Sequence, residues 1–159
     1  MIVAEQKAFD QIRQMIDRYQ RVLVVGCGTC VTVCFAGGEK EVGILASSLR
    51  MADQVDGKQR VIDEETIHRQ CEWEFIDPLK EKASSYDAIL SLGCGVGVQT
   101  LAEVFPNLPV LPALNTSFMG LPVEPGVWAE RCAGCGNCLL DQFGGICPIA
   151  RCSKSLLNG

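Results

Sequence analysis

The cysteines of this chain are numerous, and their short spacings suit the binding of a metal centre. Ten cysteines occur in 159 residues, and five of them lie in the C-terminal segment. There, Cys132, Cys135 and Cys138 form a C-x2-C-x2-C sequence. Thiolates are soft ligands, and three of them in one short turn can bind a single inorganic centre. The spacing therefore predicts a thiolate-bound metal centre in this segment.

Two further cysteines compete for the fourth ligand position of this centre. A cysteine followed by proline, as at Cys147, commonly binds an iron–sulfur cluster, and Cys152 is the alternative. Zinc is the rival metal, held by the thiolates of Cys132, Cys135, Cys147 and Cys152. The remaining Cys138 favours iron, because a tetrahedral zinc site has no use for a fifth thiolate. We predict a [4Fe–4S] cluster here and keep zinc as the alternative.

A second set of cysteines lies earlier in the chain and comprises Cys27, Cys30, Cys34, Cys71 and Cys94. Cys27 and Cys94 each occupy a Gly-Cys-Gly corner that follows an apolar run. We expect this set to hold a second [4Fe–4S] cluster, with Cys27 as the one cysteine that is not a ligand. For Cys71 and Cys94 the alternative is a role as small buried apolar side chains.

The elements that position this second set follow an α/β pattern. Four short apolar runs are predicted strands, at residues 21–25, 59–62, 87–92 and 109–111. Helical segments alternate with them, and the clearest carries Val42, Leu45, Ala46 and Leu49 on one face. This alternation predicts a Rossmann-like parallel sheet. In the strand order 2-1-3-4, both Gly-Cys-Gly corners open onto one crevice at the carboxyl edge of the sheet.

The glycines of the two corners are predicted cofactor-binding residues, namely Gly26, Gly28, Gly93 and Gly95. They would let backbone N–H groups approach an anionic cluster, towards which the following helices direct their positive ends. A dinucleotide is the alternative ligand for such a crevice. The full glycine fingerprint is missing, however, and no Gly-Lys-Ser/Thr phosphate loop occurs.

The two ends of the chain lie outside this pattern. Residues 4–19 are predicted to form an amphipathic helix, with Ile12 and Ile16 in its apolar stripe. Residues 115–127 contain two prolines and are predicted to be an extended connector. The segment beyond is too short and too rich in glycine to build an apolar core, so we expect a metal to hold it as a small lobe. The predicted domains are residues 1–114 and 115–159.

Composition restricts the class of protein. A formal net charge of -5 and a pI near 4.9 argue against nucleic-acid binding, which needs a basic surface. No signal peptide is visible, and no apolar run approaches the ~20 residues that cross a bilayer. We therefore expect a cytoplasmic protein whose cysteines bind metal instead of forming disulfides. The single histidine, His68, is expected to be structural, and no acid–base group marks a catalytic site.

Three segments of the sequence resemble a known family. They are Cys132-Ala-Gly-Cys-Gly-Asn-Cys with the following Gly144-Gly-Ile-Cys-Pro, the stretch Val25-Gly-Cys-Gly-Thr-Cys, and Arg69-Gln-Cys71. The chain resembles the C-terminal domain family of methylenetetrahydrofolate reductase, a small companion subunit found in acetogens and related anaerobes. This resemblance implies a flavin-containing barrel subunit as the partner, with the metal centres in the small subunit. Zinc and iron–sulfur clusters are both associated with the family.

Taken with the cysteines, the resemblance predicts an iron–sulfur electron-relay subunit that is not catalytic alone. It would pass electrons from a ferredoxin-like donor, or another redox subunit, to the flavin of the barrel subunit. The alternative is a zinc-binding structural or docking subunit of the same complex. A stand-alone enzyme with an open iron site is a third hypothesis.

Overall fold

The computed structural model describes residues 1–151, and these form seven strands and six helices. The strands are β1 (Ile2–Gln6), β2 (Arg21–Cys27), β3 (Val61–Ile67), β4 (Ala88–Leu92), β5 (Val110–Pro112), β6 (Leu114–Glu124) and β7 (Val127–Cys132). The helices are α1 (Phe9–Ile16), α2 (Cys30–Val33), α3 (Glu39–Val55), α4 (Trp73–Ile76), α5 (Leu79–Ala83) and α6 (Gly95–Val104). The predicted α/β fold class is confirmed.

The main sheet is parallel, with the strand order β3-β2-β4-β5. Numbered as the four predicted strands, this order is 2-1-3-4, so the predicted topology is confirmed. Strand β2 is buried on both faces: Val22 and Val24 belong to one apolar cluster, and Leu23 and Val25 belong to another. A strand covered on both sides is typical of parallel sheets, and it explains the continuous apolar run in the sequence.

Helices cover both faces of this sheet. On one side, α3 buries Val42, Leu45, Ala46 and Leu49, the face predicted from their spacing. On the other side, α5 and α6 supply Leu79, Ala83 and Leu101 to the second cluster. The carboxyl ends of β2 and β4 are left to face the loops that carry the cysteines.

The N-terminal helix is shorter than predicted, because residues 2–6 form a strand. β1 pairs antiparallel with β6, and Ile2 lies opposite Met119. The helix itself runs only from Phe9 to Ile16 and buries Ile12 and Ile16. The prediction of helix from residue 4 was wrong because the partner strand lies more than 100 residues away, where local periodicity cannot reveal it.

The predicted connector at residues 115–127 is also corrected, since most of it is the β6–β7 hairpin. Glu124 pairs with Val127 around the two-residue turn Pro125-Gly126, and Gly126 has a φ of +82°. Proline followed by a left-handed glycine is the sequence that a type II turn needs. Pro122 is tolerated because the pairing with β1 ends at Met119, so the backbone nitrogen of residue 122 has no partner strand on that side.

These pairings join β1, β6 and β7 in a second, antiparallel sheet. The predicted domain boundary at residue 114 coincides with the start of β6, and the division into two domains stays a prediction. From residue 133 to 151 the chain forms turns without a helix or strand. A metal-bound lobe there also stays a prediction. Within residues 1–151, no helix combines the length and the apolar character needed to cross a membrane.

Candidate metal centres

Three cysteines from distant parts of the sequence lie in the loops at the carboxyl edge of the parallel sheet. Cys27 ends β2, Cys94 immediately precedes α6, and Cys71 follows β3. Although Cys71 is an exposed residue, partial desolvation of its thiol raises its pKa, and negative charge on Cys27 and Cys94 raises it further. Cys71 therefore lies within electrostatic reach of both Cys27 and Cys94, as the topology predicts.

Cys30 lies near Cys71, and both cysteines lie close to the positively charged side chain of Arg69. The pKa of the Arg69 guanidinium is raised first by its hydrogen bond and charge interaction with Glu72, and then by the charges of Cys71 and Cys30. Reciprocally, Arg69 lowers the pKa of the Cys71 thiol. At Cys71, Arg69 thus partly offsets the rise in pKa that desolvation and the neighbouring cysteines cause, and it does so towards the thiolate, the form that binds metals.

Cys34 occupies a different environment, although it was predicted to be a ligand. It is buried in the apolar cluster beneath β1, and its Sγ is 3.6 Å from the carbonyl oxygens of Ala4 and Val31. Burial raises the pKa of this thiol. Cys27, predicted to be the extra cysteine, lies instead beside Cys71 and Cys94. The ligand set itself remains a prediction.

A tight loop holds Cys27 and Cys30 together. After α2 the chain reverses at Phe35, whose φ of +56° is unusual for a bulky residue. The N–H groups of Ala36 and Gly37 then return to the carbonyl of Val31, and the N–H of Cys27 donates to the carbonyl of Gly37. Backbone hydrogen bonds therefore close the loop that carries Cys27 and Cys30.

The corner glycines have packing roles within the chain. A Cβ on Gly26 would lie 2.5 Å from Val42 Cγ2, and one on Gly93 would lie 2.1 Å from Gln70 Oε1. The N–H of Gly28 donates to the carbonyl of Ile67, and the N–H groups of Gly93 and Gly95 donate to the hydroxyls of Ser91 and Thr116. These three N–H groups already have partners. The assignment of Gly26, Gly28, Gly93 and Gly95 to cofactor binding stays a prediction.

Gln70, which lies in the Arg69-Gln-Cys71 segment but was not predicted to be a site residue, is fully buried between the cysteine loops. Its Nε2 donates to the carbonyl of Val25 at 2.9 Å, and its Oε1 accepts from Ser91 Oγ at 2.6 Å. Ser91 Oγ also accepts from the N–H of Gly93. The only sequence signal was its position next to Cys71, since a buried glutamine has no periodic pattern of its own.

Four cysteines of the C-terminal set line one cavity of about 270 Å³. They are Cys132, Cys135, Cys138 and Cys147, with Leu139, Leu140 and Ile149 among the apolar residues around them. The chain curls here through Gly134 and Gly136, with φ of +64° and +78°, values that glycine adopts at little cost. The cavity has room for more than a single ion, and its sulfur donors suit soft metals.

Backbone N–H groups already point at two of these sulfur atoms. The N–H of Gly134 donates to Cys132 Sγ, and the N–H of Ala150 donates to Cys147 Sγ, both at 3.4 Å. Hydrogen bonds to cysteine sulfur tune iron–sulfur sites. The thiol of Cys135 instead donates to the carbonyl of Asn137, a contact that a thiolate ligand would give up. Cys152 lies outside the described residues.

No group of three or more Cys, His, Asp or Glu side chains between residues 1 and 151 is gathered tightly enough to enclose a metal ion. His68 is exposed and makes an edge-to-face contact with Phe75, with ring centroids 4.8 Å apart. This position agrees with the structural role expected for that histidine.

The fold and the placement of the cysteines define a parallel α/β protein with two candidate thiolate sites. Residues 111–159 match the family model described as methylene-tetrahydrofolate reductase C terminal. The match covers just under a third of the chain, including the C-terminal cysteines, and it confirms the predicted resemblance over that segment. No curated protein matches the chain.

Proposed function

We propose that this chain is an electron-relay subunit of a methylenetetrahydrofolate reductase complex and holds two [4Fe–4S] clusters. Electrons would arrive from a ferredoxin-like donor or another redox subunit. They would leave to the flavin of a barrel-shaped catalytic subunit. The chain would contribute ligands and a docking surface, and the reaction on folate would take place in its partner.

The observation that carries this proposal is the strand order, which places Cys27, Cys71 and Cys94 in loops at one edge of the sheet, with Cys71 in electrostatic reach of the other two. These residues come from three separate strand-to-helix connections, and the strand order brings them together. Cys27 is buried in the same apolar cluster as Cys34, and Cys94 packs against that cluster, whereas Cys71 lies outside it. The exposure of Cys71 instead favours a ligand role.

For the first centre we propose Cys27, Cys30, Cys71 and Cys94 as ligands. Cys27 replaces Cys34 in the predicted set, because the Cys34 thiol faces carbonyl oxygens in the core, whereas Cys27 lies within electrostatic reach of Cys71. Cys30 is kept because it and Cys71 both lie close to the charge of Arg69. Arg69 would offset the negative charge that four thiolates bring to the cluster. A pair of matched variants tests the exchange of Cys34 for Cys27: Cys27→Ser should remove about four irons per chain, whereas Cys34→Ser should retain them.

For the second centre we propose Cys132, Cys135, Cys138 and Cys147, which line a common cavity. When bound, an iron–sulfur cluster accepts and donates single electrons. The chain's own part is to supply the thiolates, to direct the N–H groups of Gly134 and Ala150 at two of them, and to surround the site with apolar residues. Hydrogen bonds of this kind help to set the potential of such a centre.

A surface groove next to the first set offers a place for the catalytic partner. Val33, Phe35, Pro122 and Trp128 line a cavity of about 410 Å³ between α2 and the β6–β7 hairpin. Phe35 is 64% exposed, and its ring packs edge-on against Trp128. Exposed aromatic side chains in a groove are typical of protein interfaces. Because α2 carries Cys30, a partner bound there would lie close to the first centre.

The test is the anaerobically purified chain, studied by absorption and paramagnetic resonance and by counts of iron, sulfide and zinc. We expect iron–sulfur spectra that change on reduction, and electron delivery from reduced ferredoxin to the flavin of the catalytic subunit. Electron delivery should fail in Cys71→Ser. A colourless protein with stoichiometric zinc and no iron would refute the relay role.

The zinc-binding docking subunit is the second candidate, and the exposed groove of Phe35 and Trp128 is equally suited to it. In that case Cys135→Ser would abolish binding to the catalytic subunit while leaving its flavin reduction by other donors unchanged. The relay role predicts the reverse for Cys71→Ser, with binding retained and electron delivery lost.

A further inference from the structure

A single buried side chain, Gln70, joins the three segments that carry Cys27, Cys71 and Cys94. Gln70 precedes Cys71 directly, and it is 0% exposed. Its Nε2 donates to the carbonyl of Val25, two residues before Cys27. Its Oε1 accepts from Ser91 Oγ, which in turn accepts from the N–H of Gly93, the residue before Cys94.

The contacts of Gln70 are closely fitted as well as hydrogen-bonded. Its Oε1 is 2.1 Å from the position of a Cβ on Gly93, and its own Cβ is 2.8 Å from the position of one on Gly97. Both of these neighbours must therefore be glycine for the carboxamide to reach its partners. Strands β2 and β4 are already paired through Val25 and Ser91. The loop of Cys71 belongs to neither strand, and Gln70 attaches it to both.

We propose that Gln70 is a positioning residue for the first metal centre, which fixes Cys71 relative to Cys27 and Cys94. This inference rests on the proposed function, since it needs a metal centre at these cysteines. Groups that orient metal ligands by hydrogen bonding typically change metal affinity by about 10–100-fold when they are removed. Gln70 would act in this way through the backbone of its neighbour and not by touching the metal.

The experiment measures how fast iron is released to a ferrous chelator from the full-length chain under anaerobic conditions. Gln70→Met keeps the length of the side chain and removes both hydrogen-bonding atoms. Ser91→Ala removes only the hydroxyl that links Gln70 to Gly93. Gln54→Met is the matched control, because Gln54 is exposed on α3. The signals of the two centres are assigned beforehand with Cys71→Ser and Cys135→Ser.

We expect Gln70→Met to release iron from the first centre about 10–100-fold faster than the wild type. Release from the C-terminal centre should stay within about two-fold, and so should both rates in the control. Ser91→Ala should accelerate the first centre alone, by a smaller factor. Combined with Gln70→Met, it should add little, because both changes break the same connection.

The inference would be overturned if folded Gln70→Met released iron from the first centre at the wild-type rate. It would also be overturned if release were equally faster at both centres, because that result indicates a destabilised fold and not a local effect on Cys71. If Gln70→Met does not fold, Ser91→Ala decides alone: faster release confined to the first centre supports the inference, and an unchanged rate refutes it. If the wild type holds no metal that depends on Cys71, the proposed first centre itself is wrong. If that metal is present but insensitive to both changes, only the role of Gln70 is wrong.

Discussion

Replacement of Gly37 by alanine should disturb the end of β4 that leads to Cys94. A Cβ on Gly37 would lie 2.0 Å from the carbonyl oxygen of Leu92, and side-chain carbons essentially never approach closer than 3.0 Å. The backbone of Leu92 would therefore have to move by about 1 Å. Gly37 does not have a positive φ, so the effect is one of space and not of backbone conformation.

The magnitude follows from the cost of forcing extra atoms into a packed region. Overpacking typically costs about 1–3 kcal/mol, and here a backbone atom, not a flexible side chain, must give way. Gly43 provides the matched control, because it lies inside α3 and a Cβ added to it would have Glu64 Oε1, at 3.9 Å, as its nearest neighbour. Gly43→Ala should stabilise the protein by about 0.5–1 kcal/mol, since alanine favours a helix.

The assay is urea unfolding of both variants followed by circular dichroism, with melting temperatures as a second readout. The two variants should differ by about 1.5–4 kcal/mol in free energy of unfolding. For a chain of this size, that corresponds to roughly 3–16 °C in Tm. A Gly37→Ala protein as stable as the wild type would refute the close approach of this loop to β4. Equal losses in both variants would refute the argument from space.

Two further predictions concern buried polar groups away from the cysteines. Asp53→Ala should destabilise the chain by about 1–3 kcal/mol, because it removes the buried carboxylate partner of the Arg60 guanidinium, whose side chain is 4% exposed, and leaves Asp17, at 3.8 Å, as the remaining carboxylate; a loss below about 0.5 kcal/mol in urea unfolding would contradict the pairing. Burial, and then a hydrogen bond to Asp63, raise the pKa of Tyr86 to about 12. Since this pKa exceeds the usual value of 10, the neutral phenol contributes stability that is complete below pH ~10 and is lost as the pH rises towards ~12. An absorbance titration should show a phenolate step near pH 12 that disappears in Tyr86→Phe, whereas the disappearance of a step near pH 10 would contradict the assignment.

The parallel sheet could be predicted from the sequence because its signals are local. Each strand is a short apolar run, and the face of α3 follows from the spacing of Val42, Leu45 and Leu49. The order of the strands followed from the usual connections of α/β folds, and it placed Cys27 and Cys94 side by side. Local pattern and standard topology were sufficient for this part.

The antiparallel sheet could not be predicted in this way, because strand β1, at the N-terminus, pairs with strand β6, which lies more than 100 residues later. Ile2 and Met119 define a contact across 117 positions, and nothing near either residue signals it. Pro122 and Pro125 also suggested a loop. In the structure, Pro122 lies in β6 beyond the end of its pairing with β1, and Pro125 lies in the turn between β6 and β7. The role of Gln70 was invisible for a related reason, since its partners Val25 and Ser91 are distant in sequence.

The most direct test of the metal centres is a count of iron and sulfide in the anaerobically purified chain and in its Cys71→Ser variant. We expect about eight irons per wild-type chain with two [4Fe–4S] clusters, or about four if zinc occupies the C-terminal site. Cys71→Ser should lose about four of them while remaining folded. An iron-free wild type, or a Cys71→Ser protein with undiminished iron and sulfide, would contradict a metal centre at the edge of the sheet.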